Sequence, residues 1–177
     1  LAHPRGPVDP TASVKRGVFA PSDTWVSTES LFRRDGDGDY WLVGTRNSAI
    51  RTGRGVTFPE PITEAVSRIG AVDLAVTYPV PTAAGSEVAV TALTLRPGAS
   101  VTAADLTDAV ASMPVGLPPE IIHVVAELPL SATFRPVVGS LRAAGLPRAG
   151  RQVWYHDPED GRYKRLTAAV RTAMGGV

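Results

Sequence analysis

The sequence predicts an α+β fold, a small three-stranded sheet with flanking helices preceded by a β-hairpin. Three observations predict it. Two β-rich runs flank the turn Asp35-Gly-Asp-Gly; apolar residues recur at helical spacing at Ile62, Val66 and Ile69 and again at Leu106, Val110 and Met113; and strand-like runs alternate with those helices.

Residues before about Val18 carry Pro4, Pro7 and Pro10 without a hydrophobic period, so they read as an irregular arm. Asp23-Thr-Trp-Val-Ser-Thr, Leu31-Phe-Arg-Arg and Asp39-Tyr-Trp-Leu-Val make the hairpin region around the Asp/Gly turn. Gly44 to Gly55 is short, polar and glycine-bounded, and reads as a connector or hinge. A helix follows, with Pro61 near its first turn. Val72-Asp-Leu-Ala-Val-Thr-Tyr and Val88-Ala-Val-Thr-Ala-Leu-Thr-Leu are strands separated by a Pro/Gly loop. Thr102 caps the next helix, with Asp105 three residues on. Ile121-Ile-His-Val-Val is a strand, and Leu128 to Pro136 an extended loop. Val137 to Ala144 is a short helix ended by Gly145 and Pro147. Trp154-Tyr-His, the turn Asp157-Pro-Glu-Asp-Gly and an amphipathic Thr167 to Met174 complete the order. This gives three segments: an arm and hairpin over 1–45, a main domain over 46–147 and a basic extension over 148–177.

The 177 residues suffice for one domain with an appendage. With no Cys, disulfides, thiolate catalysis and the common structural zinc sites are excluded. A net charge of +1 gives no reason to expect nucleic-acid binding. No apolar run approaches the roughly 20 residues that span a bilayer. The opening Leu1-Ala-His-Pro-Arg-Gly-Pro reads as the continuation of something longer. Charge is uneven: from Arg135 onward eight basic residues face three acids, a balance of +5 in a chain whose total is +1. That segment could meet a polyanion or an anionic membrane surface, or simply be a solvated face.

Self-contained chemical motifs are absent. There is no nucleophile elbow, phosphate-binding loop or dinucleotide fingerprint. His3, His123 and His156 lack partners at metal-ligand spacing, and His123 reads as a packed or surface imidazole rather than a general base. Asp35-Gly-Asp37-Gly-Asp39 looks like the start of a calcium loop, but Tyr40 stands where the sharp-turn Gly belongs and Arg46 where the bidentate Glu belongs. No metal site is expected.

The ordered set of segments says more. Asp23-Thr-Trp-Val-Ser-Thr-Glu-Ser-Leu-Phe-Arg-Arg-Asp-Gly-Asp-Gly-Asp-Tyr-Trp-Leu-Val, Asp73-Leu-Ala-Val, Leu95-Arg-Pro-Gly-Ala, Glu127-Leu-Pro-Leu-Ser-Ala-Thr-Phe-Arg and Leu141-Arg-Ala-Ala-Gly-Leu-Pro resemble, in this order, the C-terminal region of adenylate-forming enzymes. The nearest branch by resemblance is the fatty-acid transport protein and very-long-chain acyl-CoA synthetase group. The tail from Trp154 through Gly161-Arg-Tyr-Lys-Arg-Leu resembles that branch's C-terminal extension.

The resemblance implies a lid that rotates between two half-reactions: fatty carboxylate with ATP to acyl-adenylate, then adenylate with CoA to thioester. It implies ATP, Mg and CoA in the intact protein, none held by this segment alone, with a large N-terminal domain as partner and a cytoplasmic, membrane-associated setting. It places Thr28, Glu29, Ser30 and Arg46 at the nucleotide, Gly44 and Thr45 at the hinge, and Gly53, Arg54 and Gly55 at CoA.

The lid's catalytic Lys falls on Arg135, which keeps the charge but exchanges a compact ammonium for a planar fork. Ser30 stands where the resemblance implies a ribose-binding Asp, with Glu29 as the nearby candidate substitute, and the hinge Asp is missing. Two readings therefore stay open for the site: a substitute cation in a slower ligase, or a relic in a non-catalytic lid that serves as a docking module. An unrelated small interaction domain is the third reading of the chain.

Overall fold

The computed structural model describes residues 14–175. The chain divides between Asn47 and Ser48 into two compact units.

Among its described residues the first unit has two antiparallel pairs. In one, β1 (Val14–Arg16) lies against β2 (Thr24–Val26), with Lys15 opposite Trp25. The arm read as irregular thus becomes a strand at its end. Asp23 organises the connection: its carboxylate accepts the backbone N–H groups of Val18, Phe19 and Ala20 and the indole N–H of Trp25. The other pair is the expected hairpin, β3 (Ser30–Arg34) against β4 (Tyr40–Thr45), with a register shift between Leu31 and Phe32. Its turn is held by Asp35, which accepts from the backbone of Asp37 and Asp39 and, at 2.6 Å, from the Trp41 indole.

The second unit is a seven-stranded mixed sheet covered on both faces. Its strands are β5 (Ile50–Thr52), β6 (Gly55–Thr57), β7 (Val72–Pro81), β8 (Glu87–Leu95), β9 (Ile121–Val124), β10 (Val153–Asp157) and β11 (Arg162–Arg165). The expected three strands, β7, β8 and β9, are adjacent in it, with β7 at an edge. β8 pairs antiparallel with β7 and parallel with β9. Both Pro79 and Pro81 are accommodated because β7 pairs only with β8.

Four further strands enlarge the sheet. The β10–β11 hairpin adds to β9, so the basic tail segment is part of this sheet. The segment read as a connector, Gly44 to Gly55, holds β5 and runs into β6, and their hairpin meets β8 at Thr52 opposite Glu87. Three-residue strands bounded by glycine carry too little alternation to register as β in the sequence.

Side-chain alternation divides the core. On one face Leu93, Ile122, Trp154 and Tyr163 pack with Val66 of α1 (Pro59–Ser67) and with Leu106 and Val110 of α2 (Ala103–Ala111). On the other, Val90, Ala92 and Ile121 pack with Leu128, Leu146 and Leu166, flanked by Leu141 of α3 (Gly139–Ala143) and Val170 of α4 (Ala168–Ala173). With seven consecutive buried residues, β8 is apolar on both sides, as a strand in a doubly covered sheet must be. The capping box of α2 is complete: Thr102 accepts from the Asp105 backbone, and the Asp105 carboxylate accepts from the Thr102 backbone at 2.8 Å.

Candidate functional site

The residues singled out in the sequence fall into three local clusters. In the first unit, Thr28, Glu29 and Ser30 meet Gly44, Thr45 and Arg46 at one end of the β3–β4 hairpin. Ser30 lies opposite Thr45 and Leu31 opposite Gly44. Glu29 sits in the left-handed region at φ +55°, where its carbonyl accepts the Arg46 backbone N–H at 3.0 Å. Its carboxylate accepts the Asn47 side-chain amide at 2.8 Å. Ser30 donates its backbone N–H to the Thr28 hydroxyl. Gly44 and Thr45, the expected hinge, are thus the last residues of a paired strand, and the division between units falls two residues later.

In the second unit, Gly53 and Arg54 form the tip of the β5–β6 hairpin, with Gly55 opening β6 at φ +141°. A side chain at Gly55 would meet Leu117. Arg54 turns back into the protein. Its Nε donates to Glu120 at 3.4 Å, Nη1 to His156 Nδ1 at 3.1 Å and Nη2 to the Pro118 carbonyl at 2.9 Å. Glu120 is buried, and its second oxygen accepts the Ala89 backbone N–H at 2.7 Å. Neither Glu120 nor His156 is legible as a site residue in the sequence, because their partner lies 66 or 102 positions away. The one local signal is the alternation of β10, which turns Trp154 and His156 inward together.

The third cluster is the loop of Arg135. Phe134 donates to the Ser131 carbonyl, Ser131 to the Arg135 carbonyl at 2.8 Å, and Leu130 bridges Pro136. This is a three-residue hairpin tip whose last position requires a left-handed residue, normally Gly. Phe134 takes it at φ +57° and is 83% exposed as a residue. The Ser131 hydroxyl accepts the Arg135 backbone N–H, and the Arg135 side chain is exposed with no bonding partner among the described residues. A rigid tip therefore holds up an uncommitted guanidinium, which is what an anion-contacting cation needs.

His123 lies apart from these clusters. Its Nε2 is 3.1 Å from the Tyr78 hydroxyl, and burial depresses its pKa to about 4, so the ring is packed and neutral. Among the described residues no three or more His, Asp or Glu converge as a metal site, and no helix is long and apolar enough to cross a membrane.

A scan against family models and a search of curated proteins returned no match. Solved structures do match. o-Succinylbenzoate CoA synthetase from Bacillus subtilis, in complex with its acyl-adenylate intermediate, is similar at 21% identity and TM-score 0.55, over 74% of this chain and 25% of that one. MatB from Rhodopseudomonas palustris is similar at 19% identity and TM-score 0.58, over 68% and 24%. A fatty acyl CoA synthetase from Mycobacterium tuberculosis is similar at 14% identity and TM-score 0.54, over 68% and 24%. The chain thus spans about a quarter of the length of the proteins it matches. What it shares with them is the fold of the C-terminal domain of adenylate-forming ligases.

Proposed function

We propose that the chain is the C-terminal lid, with the last hairpin of the large domain, of an adenylate-forming acid–CoA ligase whose acid is a long-chain fatty acid. The observation that carries this reading is the exposed, partner-free Arg135 on a fixed hairpin tip, within a fold shared with acyl- and aryl-CoA synthetases. The long-chain assignment rests on the sequence resemblance to the very-long-chain branch.

In the first half-reaction a carboxylate oxygen attacks the α-phosphorus of ATP and the bond to pyrophosphate breaks. Arg135 offsets charge on the carboxylate and phosphate oxygens as the new bond forms. The guanidinium cannot be deprotonated at working pH, so its contribution is electrostatic rather than acid–base. In the second half-reaction the CoA sulfur attacks the acyl carbon, AMP leaves, and the turn of Gly53 and Gly55 approaches the pantetheine chain.

Thr28 and Arg46 offer polar contacts to the nucleotide. Glu29, already bound to Asn47, takes the place of the missing ribose-binding Asp only if it exchanges that amide for hydroxyls. The Mg2+ that accompanies ATP is held largely by the phosphates and water, and we place it with the triphosphate in the larger protein.

The assay is pyrophosphate release by the full-length protein with ATP and a long-chain fatty acid. Arg135→Ala should slow release by about a hundredfold or more, as loss of a transition-state charge contact does, and Arg135→Lys should match or exceed the parent. The second reading, a docking module, is favoured by Ser30 and by the missing hinge Asp. It predicts no release from the parent, from Arg135→Lys or from Ser30→Asp.

A further inference from the structure

The CoA-side turn is not a free loop, and the guanidinium at its tip folds back onto the sheet. Arg54 spends its guanidinium on three partners from two other parts of the sheet: the Pro118 carbonyl, the Glu120 carboxylate and the His156 ring. Glu120 extends the tie to β8 through the Ala89 backbone. The same hairpin is pinned a second time, by Thr57, whose hydroxyl donates to the Leu117 carbonyl at 2.8 Å and accepts from the Leu117 backbone at 3.1 Å. Between them these contacts fix both ends of a three-residue strand that has little packing of its own.

One of the three Arg54 contacts depends on a proton. A guanidinium only donates, so His156 Nδ1 accepts and carries no hydrogen. A proton on Nδ1 would remove the acceptor and set two cations 3.1 Å apart. Solvent can deliver one, because a cavity of about 430 Å³ opens beside the pair, lined by Gly53, Arg54, Glu87, Glu120 and His156.

We propose that Arg54 is a positioning residue rather than a ligand contact: its bonds to Glu120, Pro118 and His156 latch the Gly53–Gly55 turn onto the sheet, and protonation of His156 opens the latch. Its bearing on CoA rests on the function proposed above, while the latch itself does not.

The charges around the ring set the direction of the switch. Burial, then Arg54, lower the pKa of His156, and Asp157, Asp160 and the Gly161 backbone oppose them. Both aspartates are already engaged by Lys164, at 2.6 and 2.7 Å. Tyr163 meets the ring edge-on at 5.3 Å and donates its hydroxyl to the Pro119 carbonyl. Glu120 faces Arg54, and Glu87 accepts the Arg51 backbone N–H at 2.9 Å. With the folded pKa below the unfolded value of about 6.5, the contribution of His156 to the closed latch is complete above that value and is lost as pH falls from it through the folded pKa.

The test is NMR of the full 177-residue chain, labelled with nitrogen-15, from pH 7.5 to 5. The Arg54 Nε–H signal should be slowly exchanging at pH 7.5. It should be lost as His156 titrates, together with shifts in the Gly53 and Gly55 amides. Across the titration the ratio of latched to open turn should fall about tenfold for each unit by which closure displaces the His156 pKa. His156→Asn keeps an acceptor near the Nδ1 position without a titratable proton, so its turn should stay latched throughout. In full-length ligase, thioester formation but not pyrophosphate release should then weaken on acidification in the parent and not in His156→Asn. The proposal is overturned if the turn amides do not move while His156 titrates, or if His156→Asn follows the parent's pH curve. The wild-type titration decides this even where a variant does not fold, and because it uses neither ATP nor CoA it stands apart from the ligase reading.

Discussion

Phe134 sits where the backbone asks for glycine. A non-glycine residue in the left-handed region costs on the order of 1 kcal/mol, and the ring recovers nothing from burial because the residue is 83% exposed. Phe134→Gly should therefore stabilise the chain by about 1 kcal/mol in urea unfolding; a loss of stability would show that the ring packs against the chain. The fold tolerates the strain because Ser131 bonds the tip at three points. His123 makes a second prediction at this scale. Its folded pKa, about 4, lies below the unfolded value, so between the two the unfolded chain binds more protons. Its contribution is complete above about 6.5, declines as pH falls towards 4, and is flat below. Urea midpoints for the parent should drop over that interval by more than those of His123→Gln, and parallel curves would contradict the assignment.

Among the elements, α2 is the clearest case of local sequence dictating local structure. Thr102 and Asp105 satisfy each other's backbone N–H groups at its start, so Thr102→Ala should cost about 1 kcal/mol in the same urea experiment. A change within a few tenths would mean that packing of Leu106 and Val110 alone holds the helix. The legible elements were those whose period exceeds their noise. β7 and β8 carry ten and nine residues, and α1 and α2 show apolar spacings of three and four. β5, β6 and β1 have three residues each and owe their conformation to partners elsewhere, so the sequence yielded a connector and an irregular arm instead. The Arg54 latch was hidden for the same reason: its donor and acceptors meet only once β6, the segment before β9, and β10 are in one sheet. The Arg135 tip was found only through resemblance, since nothing in Ser-Ala-Thr-Phe-Arg-Pro by itself marks a site.

At the scale of the molecule, the sheet works as a rigid frame. Two covered faces hold the 131–136 tip and the β5–β6 turn on one body, so a cation and a backbone turn belong to the same compact unit. In the function proposed above, that body is the lid. The fold likeness covers about a quarter of o-succinylbenzoate CoA synthetase and of MatB, and in the function proposed above a larger protein supplies the remaining machinery. The most direct test of its central claim is a single-turnover measurement of acyl-adenylate formation by the full-length protein with a long-chain fatty acid, parent against Arg135→Ala. Adenylate should form in the parent, with a loss of about a hundredfold or more in the variant. Equal rates in the two, or no adenylate from either, would contradict it.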